Sequence, residues 1–412
     1  VVLEANQEWR FETQIQPQDV VSIKLLSGTA EIFGSELAQD ATYTFSVAKL
    51  ALFTYTGCEF QWTGSPASEY IGEETPVPVY LNLHLSLEKM RVSKGPTVLI
   101  TGPKDTGKTS LAKTLTAYIV KRMGTNPGPI AVNLDPAAGF VSVPPGAVSA
   151  AHINGLLDPQ SASGWGDANE TGLAATHIPT RAPLSYYYGH DSVKASPACY
   201  ENAITKLSES VNEKSKSLPA GVIIDTPHVK HGDYEMTETI VKLFKVDVIV
   251  VIGHERIYSD LRKRFADKFP SASVVRVPES GGVVEREDSY IRAVQQKQIR
   301  EYFYGSPTAS HVLNPFSTSL DLSKKVIYRV LEVEKTNKAA ALSGLVEAIE
   351  DLSVLQNSVL ALIQKESVEQ PGESLNYPIM GFMHVSEVDE SENRAKVLIP
   401  IRGQIPPGIL LA

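Results

Sequence analysis

The sequence predicts an α/β protein built around a central domain with a mainly parallel sheet. Three observations carry this prediction. Short β-rich runs fill residues 1–86, strands alternate with helices over 87–305, and the pattern changes again over 306–412. The chain has 412 residues. Since a domain spans about 100–200 residues, two or three domains are expected, and we place their boundaries at 86 and 305.

The first segment is expected to be a small sandwich or barrel, because its β-rich runs are short and closely spaced. Runs such as Trp9–Thr13 and Ala51–Tyr55 are separated by turn residues such as Ser27-Gly28. We assign Tyr80–Leu85 to the end of this all-β region. In the last segment, apolar residues at helical spacing over Ala339–Lys365 predict one long amphipathic helix or two beside several strands, hence a separate α+β module.

The most informative run is 102–109, which fits the pattern G-x-x-x-x-G-K-[ST] at every fixed position. An apolar run, Thr97–Thr101, precedes it, and Ser110–Arg122 carries apolar residues at helical spacing. Strand, glycine-rich loop and helix is the order that phosphate binding needs. The alternative is a chance match on a loop, which these flanking elements disfavour.

The residues of this loop have separate roles in such sites. Gly102 and Gly107 allow the backbone to curl so that successive N–H groups point at a phosphate. Lys108 can neutralise the β- and γ-phosphates, and the Thr109 hydroxyl can ligate Mg²⁺.

Two carboxylates end apolar runs of the central segment. Asp135 follows 130–134 and Asp225 follows 221–224, and both runs are predicted to be core strands. Because ligands bind at the carboxyl ends of such strands, either carboxylate can hold the Mg²⁺ hydration shell or accept a proton. The alternative is an aspartate that caps the following turn. Asp135 is the better candidate for a base, and Asp225 suits the second acidic position of P-loop proteins.

Other polar residues give weaker signals. Arg286 follows the flexible run Ser280–Val284, where an arginine could contact transferring phosphate, while Arg262–Arg264 are typical of a solvated helix face. His228 and His231 have no visible metal partners. The segment 150–200 is rich in Pro, Gly, Ser and Tyr, and is either an insertion lining the substrate side or a solvated excursion.

Composition excludes several classes of protein. The net charge of −9 argues against broad adhesion to nucleic acid or anionic membrane. Two cysteines, Cys58 and Cys199, are too few for a disulfide framework and indicate a reducing compartment. No apolar run approaches the roughly 18 residues of a membrane span, and no signal peptide is visible.

Together the motifs resemble the polynucleotide 5′-hydroxyl-kinase family, in its pre-mRNA cleavage and polyadenylation branch. The resemblance covers nearly the whole chain, and the run Ile299–Gly305 is specific to that branch. The other runs that carry it are Ser27–Leu37, Gly102–Ser110, Asn133–Pro136 and Ser280–Val284.

This resemblance implies an N-terminal β-sandwich that covers the adenine of ATP, a P-loop domain and a C-terminal α/β domain. Glu8 and Lys49 match the positions that hold the base; the residues alone would be read as solvated strand-end charges. The implied phosphate contacts are Asp105, Thr106, Gly107, Lys108, Thr109 and Ser110, with Mg²⁺ near Thr109, Asp135 and Asp225. In an active enzyme Asp135, Lys108 and Arg286 would be the catalytic residues.

Departures from the family pattern concern the acceptor side of the site, where the 5′-hydroxyl end of an RNA would bind in an active kinase. Active RNA kinases of the family carry a tryptophan where His228 stands here, and a further basic residue where Ile291 stands; Arg286 and Arg292 remain. A lost stacking platform removes roughly 1–3 kcal/mol per base. A lost charge near the transferring phosphate costs roughly 10³-fold or more in rate.

Three functions therefore remain open. The first is a nuclear, ATP-binding scaffold among the subunits that cleave and polyadenylate pre-mRNA, with indirect RNA contact at most and no membrane role. The second is an active RNA 5′-hydroxyl kinase. The third is a generic P-loop ATPase or GTPase, although no Asn-Lys-x-Asp motif for guanine follows the run Asp247–Gly253.

Overall fold

The structure, a computed structural model, describes residues 1–16, 18–123, 128–138, 141, 144–161, 183–305, 313–333 and 342–412. It confirms the α/β class, with an N-terminal β-sandwich, a central P-loop domain and a strand-rich C-terminal region. The chain divisions at 86 and 305 stay a proposal.

The N-terminal region is a sandwich of two antiparallel sheets. One sheet has the order β1-β8-β3-β6 and the other β5-β4-β7-β2-β9. The strands are β1 (Val2–Leu3), β2 (Gln7–Thr13), β3 (Val21–Gly28), β4 (Glu31–Ile32), β5 (Ser35–Glu36), β6 (Thr42–Phe45), β7 (Lys49–Thr54), β8 (Cys58–Gly64) and β9 (Pro66–Gly72).

Strand β2 shows how the sandwich presents polar groups to the next domain. Trp9 and Phe11 point into the sandwich core, where their rings stack with centroids 4.6 Å apart. Successive side chains on a strand face opposite ways, so Glu8, Arg10 and Glu12 all lie on the other face. That face meets the P-loop domain.

A helix, not a strand, ends the first segment. Helix α1 (Val77–Glu88) includes the run Tyr80–Leu85, so the all-β assignment of that run is wrong. Prolines stand at its N-terminus, where their missing N–H groups cost nothing. Tyr80, His84 and Leu87 are buried, a spacing of four and three residues that defines one helix face.

The central region is a seven-stranded sheet with the order β13-β12-β11-β14-β10-β15-β16. Five neighbouring strands are parallel, as predicted, whereas β12 and β13 extend one edge antiparallel. The elements are β10 (Thr97–Thr101), α2 (Lys108–Met123), β11 (Ile130–Asn133), β12 (Ala147–His152), β13 (Leu184–Tyr187), α3 (Pro197–Ser215), β14 (Val222–Asp225), α4 (Glu235–Phe244), β15 (Val248–Ile252), α5 (Glu255–Lys268), β16 (Ser273–Val277) and α6 (Asp288–Tyr304).

The C-terminal region forms one mixed sheet with the order β17-β22-β21-β20-β23-β18-β19. Its strands are β17 (Phe316–Asp321), β18 (Ile327–Val330), β19 (Val346–Ala348), β20 (Val359–Ile363), β21 (Ile379–Asp389), β22 (Arg394–Ile399) and β23 (Leu410–Leu411). Short 3₁₀ turns cover Leu322–Lys324, Leu342–Leu345, Leu352–Leu355 and Pro371–Asn376.

The predicted helix over Ala339–Lys365 is therefore wrong from Leu342 onward, and its first three residues lie outside the described residues. The side chain of Asp351 accepts hydrogen bonds from the backbone and the hydroxyl of Ser353, a local turn that competes with helix. Asn357 follows in the left-handed region at φ 63°. Of the apolar residues at helical spacing, Val346 is buried on β19 and Leu345 and Leu355 are buried in 3₁₀ turns, whereas Leu342, Ile349 and Leu352 are half-buried.

Contacts between the β4–β5 hairpin and α2 join the sandwich to the P-loop domain. The turn of the β4–β5 hairpin packs on α2, where a Cβ at Gly34 would lie 2.9 Å from the Cβ of Ala117. Beside it, the Tyr118 hydroxyl donates to Glu31 at 2.6 Å, and Tyr55 bonds Tyr118 at 2.9 Å. These buried contacts fix the position of the sandwich over the P-loop helix.

Helix α6 links all three regions. The Lys297 ammonium donates to the backbone oxygen of Ser46 in the sandwich at 2.9 Å. Near the end of α6, the Tyr302 hydroxyl accepts from the backbone N–H of Phe382 in the C-terminal sheet at 2.9 Å. Because α6 begins beside the phosphate-binding loop, the regions on either side share one rigid element with that loop.

Candidate functional site

The candidate site is a cavity of about 340 Å³ between the sandwich and the P-loop domain. This volume lies in the range of small-molecule sites. Nearly all of the predicted site residues line it: Glu8, Lys49, Asp105, Thr106, Gly107, Lys108, Thr109, Ser110, Asp135 and Arg286. Gly102 and Asp225 are outside this lining, although Asp225 bonds Thr109.

The loop between β10 and α2 has the conformation expected of a phosphate cradle. Gly107 has a φ of +82°, which a residue with a side chain adopts only with strain. Lys108 begins α2 and is buried, and its ammonium donates to the carbonyl oxygen of Pro103 at 2.6 Å. Burial lowers the pKa of Lys108, against the opposing charges of Asp225 and Asp135.

Thr109 and Asp225 meet at the C-terminal end of the sheet. The Thr109 hydroxyl donates to Oδ2 of Asp225 at 2.6 Å. The other oxygen, Oδ1, is buried and has no hydrogen-bond partner among the described residues. Burial raises the pKa of Asp225 to about 6. A buried carboxylate oxygen without a partner, beside a hydroxyl, fits a site for a hydrated divalent cation.

Asp135 lies in the cavity two residues beyond β11. Its Oδ1 accepts from the backbone N–H of Ala137 at 3.1 Å, so the turn-capping alternative is also realised. Burial raises the pKa of Asp135, while the Ala137 hydrogen bond and the Lys108 charge oppose that rise. A carboxylate of raised pKa beside a lysine has the properties of a proton acceptor.

Arg286 approaches the phosphate-binding loop from the segment before α6. Its Nε donates to Oδ1 of Asp105 at 2.5 Å, and its backbone N–H donates to Oδ2 at 3.0 Å. Burial would raise the pKa of Asp105, but these bonds to Arg286 hold it below its usual range. The predicted arginine is therefore beside the loop, held by one of the loop's own residues.

Glu8 and Lys49 lie on the sandwich side of the cavity, on β2 and β7. Glu8 is buried, and its two oxygens accept from Arg10 Nε at 2.5 Å and from the Thr75 hydroxyl at 2.7 Å. The Lys49 ammonium donates to Glu12 at 2.6 Å and lies 5.0 Å from the Tyr290 ring centroid. Neither is the solvated charge that the sequence alone indicates.

Sequence reasoning missed Arg10, which lines the same cavity. A signal was present, because Glu8, Arg10 and Glu12 alternate with aromatic residues on one predicted strand. The segment 150–200 contributes Leu157, Gln160 and Ser161 to the cavity, whereas 162–182 lies outside the described residues.

The acceptor side differs from the phosphate side. His228 is exposed, and Ile291 places an apolar side chain in the cavity lining. The basic run Arg262–Arg264 lies on α5, where Arg264 pairs with Glu238, away from the site.

In the described part of the chain, no three His, Cys, Asp or Glu side chains cluster as a metal site would need. Nor does any described helix have the length and apolar character to cross a membrane.

Three family models match the chain and together cover most of it. The N-terminal β-sandwich domain of polyadenylation factor matches residues 2–94. The P-loop of mRNA cleavage and polyadenylation factor CLP1 matches 102–305, and the pre-mRNA cleavage complex II protein Clp1 matches 313–412.

The chain is also similar over nearly its whole length to fungal mRNA cleavage and polyadenylation factors. The mRNA cleavage and polyadenylation factor clp1 of Botryotinia fuckeliana is 36% identical over 98% of this chain and 90% of its own length. That of Scheffersomyces stipitis is 35% identical over 100% of this chain and 93% of its own.

The chain is also similar to solved structures of Clp1p. A wild-type Clp1p–Pcf11p complex superimposes with a TM-score of 0.89 at 27% identity, covering 100% of this chain and 96% of that one. A second structure, with a TM-score of 0.87 and the same identity and coverage, concerns an extended Pcf11p–Clp1p interface and ATP loss in a glycine-to-arginine mutant. The chain belongs to the Clp1 family of mRNA cleavage and polyadenylation factors.

Proposed function

We propose that this protein is a nuclear, ATP-binding scaffold subunit of the machinery that cleaves and polyadenylates pre-mRNA, without kinase turnover. The observation that carries the proposal is the cavity itself. It joins a complete phosphate-binding loop to the polar face of the sandwich, yet among the residues that the structure describes no tryptophan lines it. Binding energy in such a site fixes the arrangement of two domains.

The residues present fit ATP and Mg²⁺. Backbone N–H groups of 105–110 and the Lys108 ammonium would hold the phosphates, and Glu8 and Lys49 would lie at the base. The Thr109 hydroxyl, with Asp225 and Asp135 acting through water, would hold the cation, which neutralises phosphate charge when bound. The orphaned Oδ1 of Asp225 supports this assignment, because it is the buried acceptor that a hydrated cation would satisfy.

Two residues on the side where an RNA acceptor would bind support the proposed lack of kinase turnover. His228, at the position where the resemblance implies a tryptophan, is exposed and lies outside the cavity lining, and Ile291 brings no charge toward a transferring phosphate. Arg286, which lines the cavity and contacts the phosphate-binding loop, is engaged by Asp105. A loose phosphoryl-transfer transition state depends on such charges, so their loss slows transfer far more than it weakens ATP binding.

The second candidate function is an active polyribonucleotide 5′-hydroxyl kinase. It is favoured by Asp135, whose raised pKa and place beside Lys108 suit a general base, with Lys108 and Arg286 acting on the phosphate. Asp135 would accept the proton of an RNA 5′-hydroxyl in that case.

The partner of the scaffold is another cleavage-factor subunit of the Pcf11 type, by analogy with the solved complexes. RNA contact is indirect. If ATP locks the sandwich onto the P-loop domain, a partner that recognises the closed arrangement is coupled to ATP, and the coupling is reciprocal.

The test is a calorimetric titration of a Pcf11-type segment into the wild type and into the Lys108→Ala, Thr109→Ala protein. Typical coupling of about 1–3 kcal/mol predicts a roughly 5–150-fold weaker partner affinity without nucleotide. The Lys24→Ala variant, which removes only a surface ion pair with Asp40, is the matched control. Equal affinities in folded proteins would show that the nucleotide has no link to assembly.

A further inference from the structure

Arg10 fills a narrow slot between the sandwich and the P-loop domain. Its side chain is only 10% exposed. Nε donates to Glu8, Nη2 donates to the backbone oxygen of Glu74 at 2.7 Å, and the guanidinium lies 5.5 Å from the Tyr70 ring centroid. The guanidinium is thus held in one orientation by three partners from its own domain.

Three glycines form the walls of this slot. A Cβ at Gly72 would lie 2.8 Å from Cζ of Arg10, and one at Gly282 would lie 2.7 Å from its Cδ and Nε. A Cβ at Gly281 would lie 3.2 Å from Nη1. None of the three has a φ in the left-handed region, so space around Arg10, not backbone conformation, accounts for glycine here.

The walls come from both sides of the cavity. Gly72 belongs to β9, paired with Glu8 of β2, whereas Gly281 and Gly282 belong to the segment between β16 and α6. Arg10 is therefore enclosed on both sides only while the sandwich lies against that segment, and the same side chain bonds Glu8.

Glu8 is the group that this arrangement orients. An ionised carboxylate accepts hydrogen bonds and donates none. Adenine presents an amino group, a donor, where guanine presents an oxygen, an acceptor. A Glu8 carboxylate held by Arg10 at the base end of the cavity can therefore accept a hydrogen bond from the adenine amino group. The same carboxylate would repel the guanine oxygen.

We propose that Arg10, enclosed by the Gly281–Gly282 segment, is a positioning residue that orients Glu8 toward the adenine amino group, thereby setting the preference for ATP over GTP. This inference rests on the proposed ATP-binding function. A cation that merely stabilised the fold would affect the two nucleotides equally, whereas a positioning role acts on their ratio.

The test measures the dissociation constants of ATP and GTP for the full chain stripped of nucleotide. The variants are Arg10→Ala, Arg10→Lys, Gly282→Ala and the Arg10→Ala, Gly282→Ala double variant. Gly403→Ala is the control for the glycine, because a Cβ there meets no atom within 4 Å. Lys24→Ala is the control for the cation.

We expect Arg10→Ala and Gly282→Ala each to weaken ATP binding at least tenfold and to change GTP binding less than twofold. The double variant should bind ATP as the single variants do, because Gly282→Ala acts by displacing a side chain that Arg10→Ala has already removed. Arg10→Lys keeps the charge but lacks the guanidinium that bonds both Glu8 and Glu74. Its affinity for ATP should therefore lie between that of the wild type and that of Arg10→Ala.

Two results would overturn the inference. Parallel losses for ATP and GTP would make Arg10 a structural residue, and additive losses in the double variant would disprove the slot. A wild type that binds no ATP would instead contradict the proposed function, so the two failures are distinguishable. Should Arg10→Ala fail to fold, Arg10→Lys and Gly282→Ala carry the same comparison.

Discussion

We predict that the buried carboxylate of Asp225, a proposed cation ligand, lowers the stability of the folded protein when no cation is bound. Burial raises its pKa from 3.8 to about 6. Below pH 3.8 the group is protonated in both the folded and the unfolded chain and costs nothing. As the pH rises, the unfolded chain loses its proton first, so the cost to stability grows and is complete above about pH 6.

The size of this cost follows from the two pKa values. The difference between 3.8 and about 6 corresponds to about 3 kcal/mol, because each pKa unit is worth about 1.36 kcal/mol. Asp225→Asn keeps an oxygen to accept from Thr109 and removes the buried charge. We therefore expect the nucleotide-free variant to be more stable than the wild type at pH 7.5 by up to about 3 kcal/mol.

The assay is thermal unfolding of both nucleotide-free proteins from pH 4 to pH 8. For a cooperative unit of about 200 residues, the gain at pH 7.5 corresponds to roughly 6 to 12 °C, and it should shrink toward zero at pH 4. The added stabilisation by ATP with Mg²⁺ should be smaller in the variant. Asp247→Asn, at the opposite end of the sheet where its carboxylate is partly exposed, is the control.

Two results would refute this reasoning. One is an Asp225→Asn protein that melts no higher than the wild type at pH 7.5. The other is an advantage of the same size at pH 4 and pH 7.5, which would show that the buried charge is not its source.

Three further outcomes follow from the site and its supports. Lys108→Ala with Thr109→Ala should abolish nucleotide retention and lower the melting temperature of the protein as purified. An unchanged nucleotide content would contradict the proposal that Lys108 and Thr109 hold ATP with Mg²⁺. Tyr118→Phe should cost about 1–3 kcal/mol in thermal unfolding, because Glu31 loses a buried donor at 2.6 Å; no destabilisation relative to the exposed Tyr304→Phe would count against the hairpin contact. Transfer of labelled γ-phosphate to a 5′-hydroxyl oligonucleotide should be negligible beside an active kinase; robust labelling lost on Asp135→Ala would establish the kinase alternative.

The phosphate side of the site was predictable because its determinants are local. The run 102–109 and its flanking strand and helix all lie within residues 97–123, and in the structure they are contiguous. Asp135 and Asp225 were found because each follows a run of apolar residues that forms a buried strand. Parallel pairing then brings their strands together, an arrangement that the P-loop fold implies.

The base side was not predictable from local pattern. Glu8 and Lys49 are ordinary strand charges until the sandwich folds against the P-loop domain, and only a family resemblance singled them out. Arg10 becomes informative through Gly72 and Gly282, which are distant in sequence. The helix assigned near Leu352 was wrong for a similar reason, since the local turn at Asp351 and pairing of β20 with β21 override leucine spacing.

The measurement that tests the central claim most directly is the identity of the nucleotide carried by the purified protein. The protein is isolated without added nucleotide, denatured by heat, and the released nucleotide is identified by chromatography, with the Lys108→Ala, Thr109→Ala protein as the blank. An ATP-bound scaffold without turnover predicts intact ATP at close to one molecule per chain. Release of ADP would contradict it by showing turnover, and release of no nucleotide would contradict it by showing that the cavity does not retain ATP.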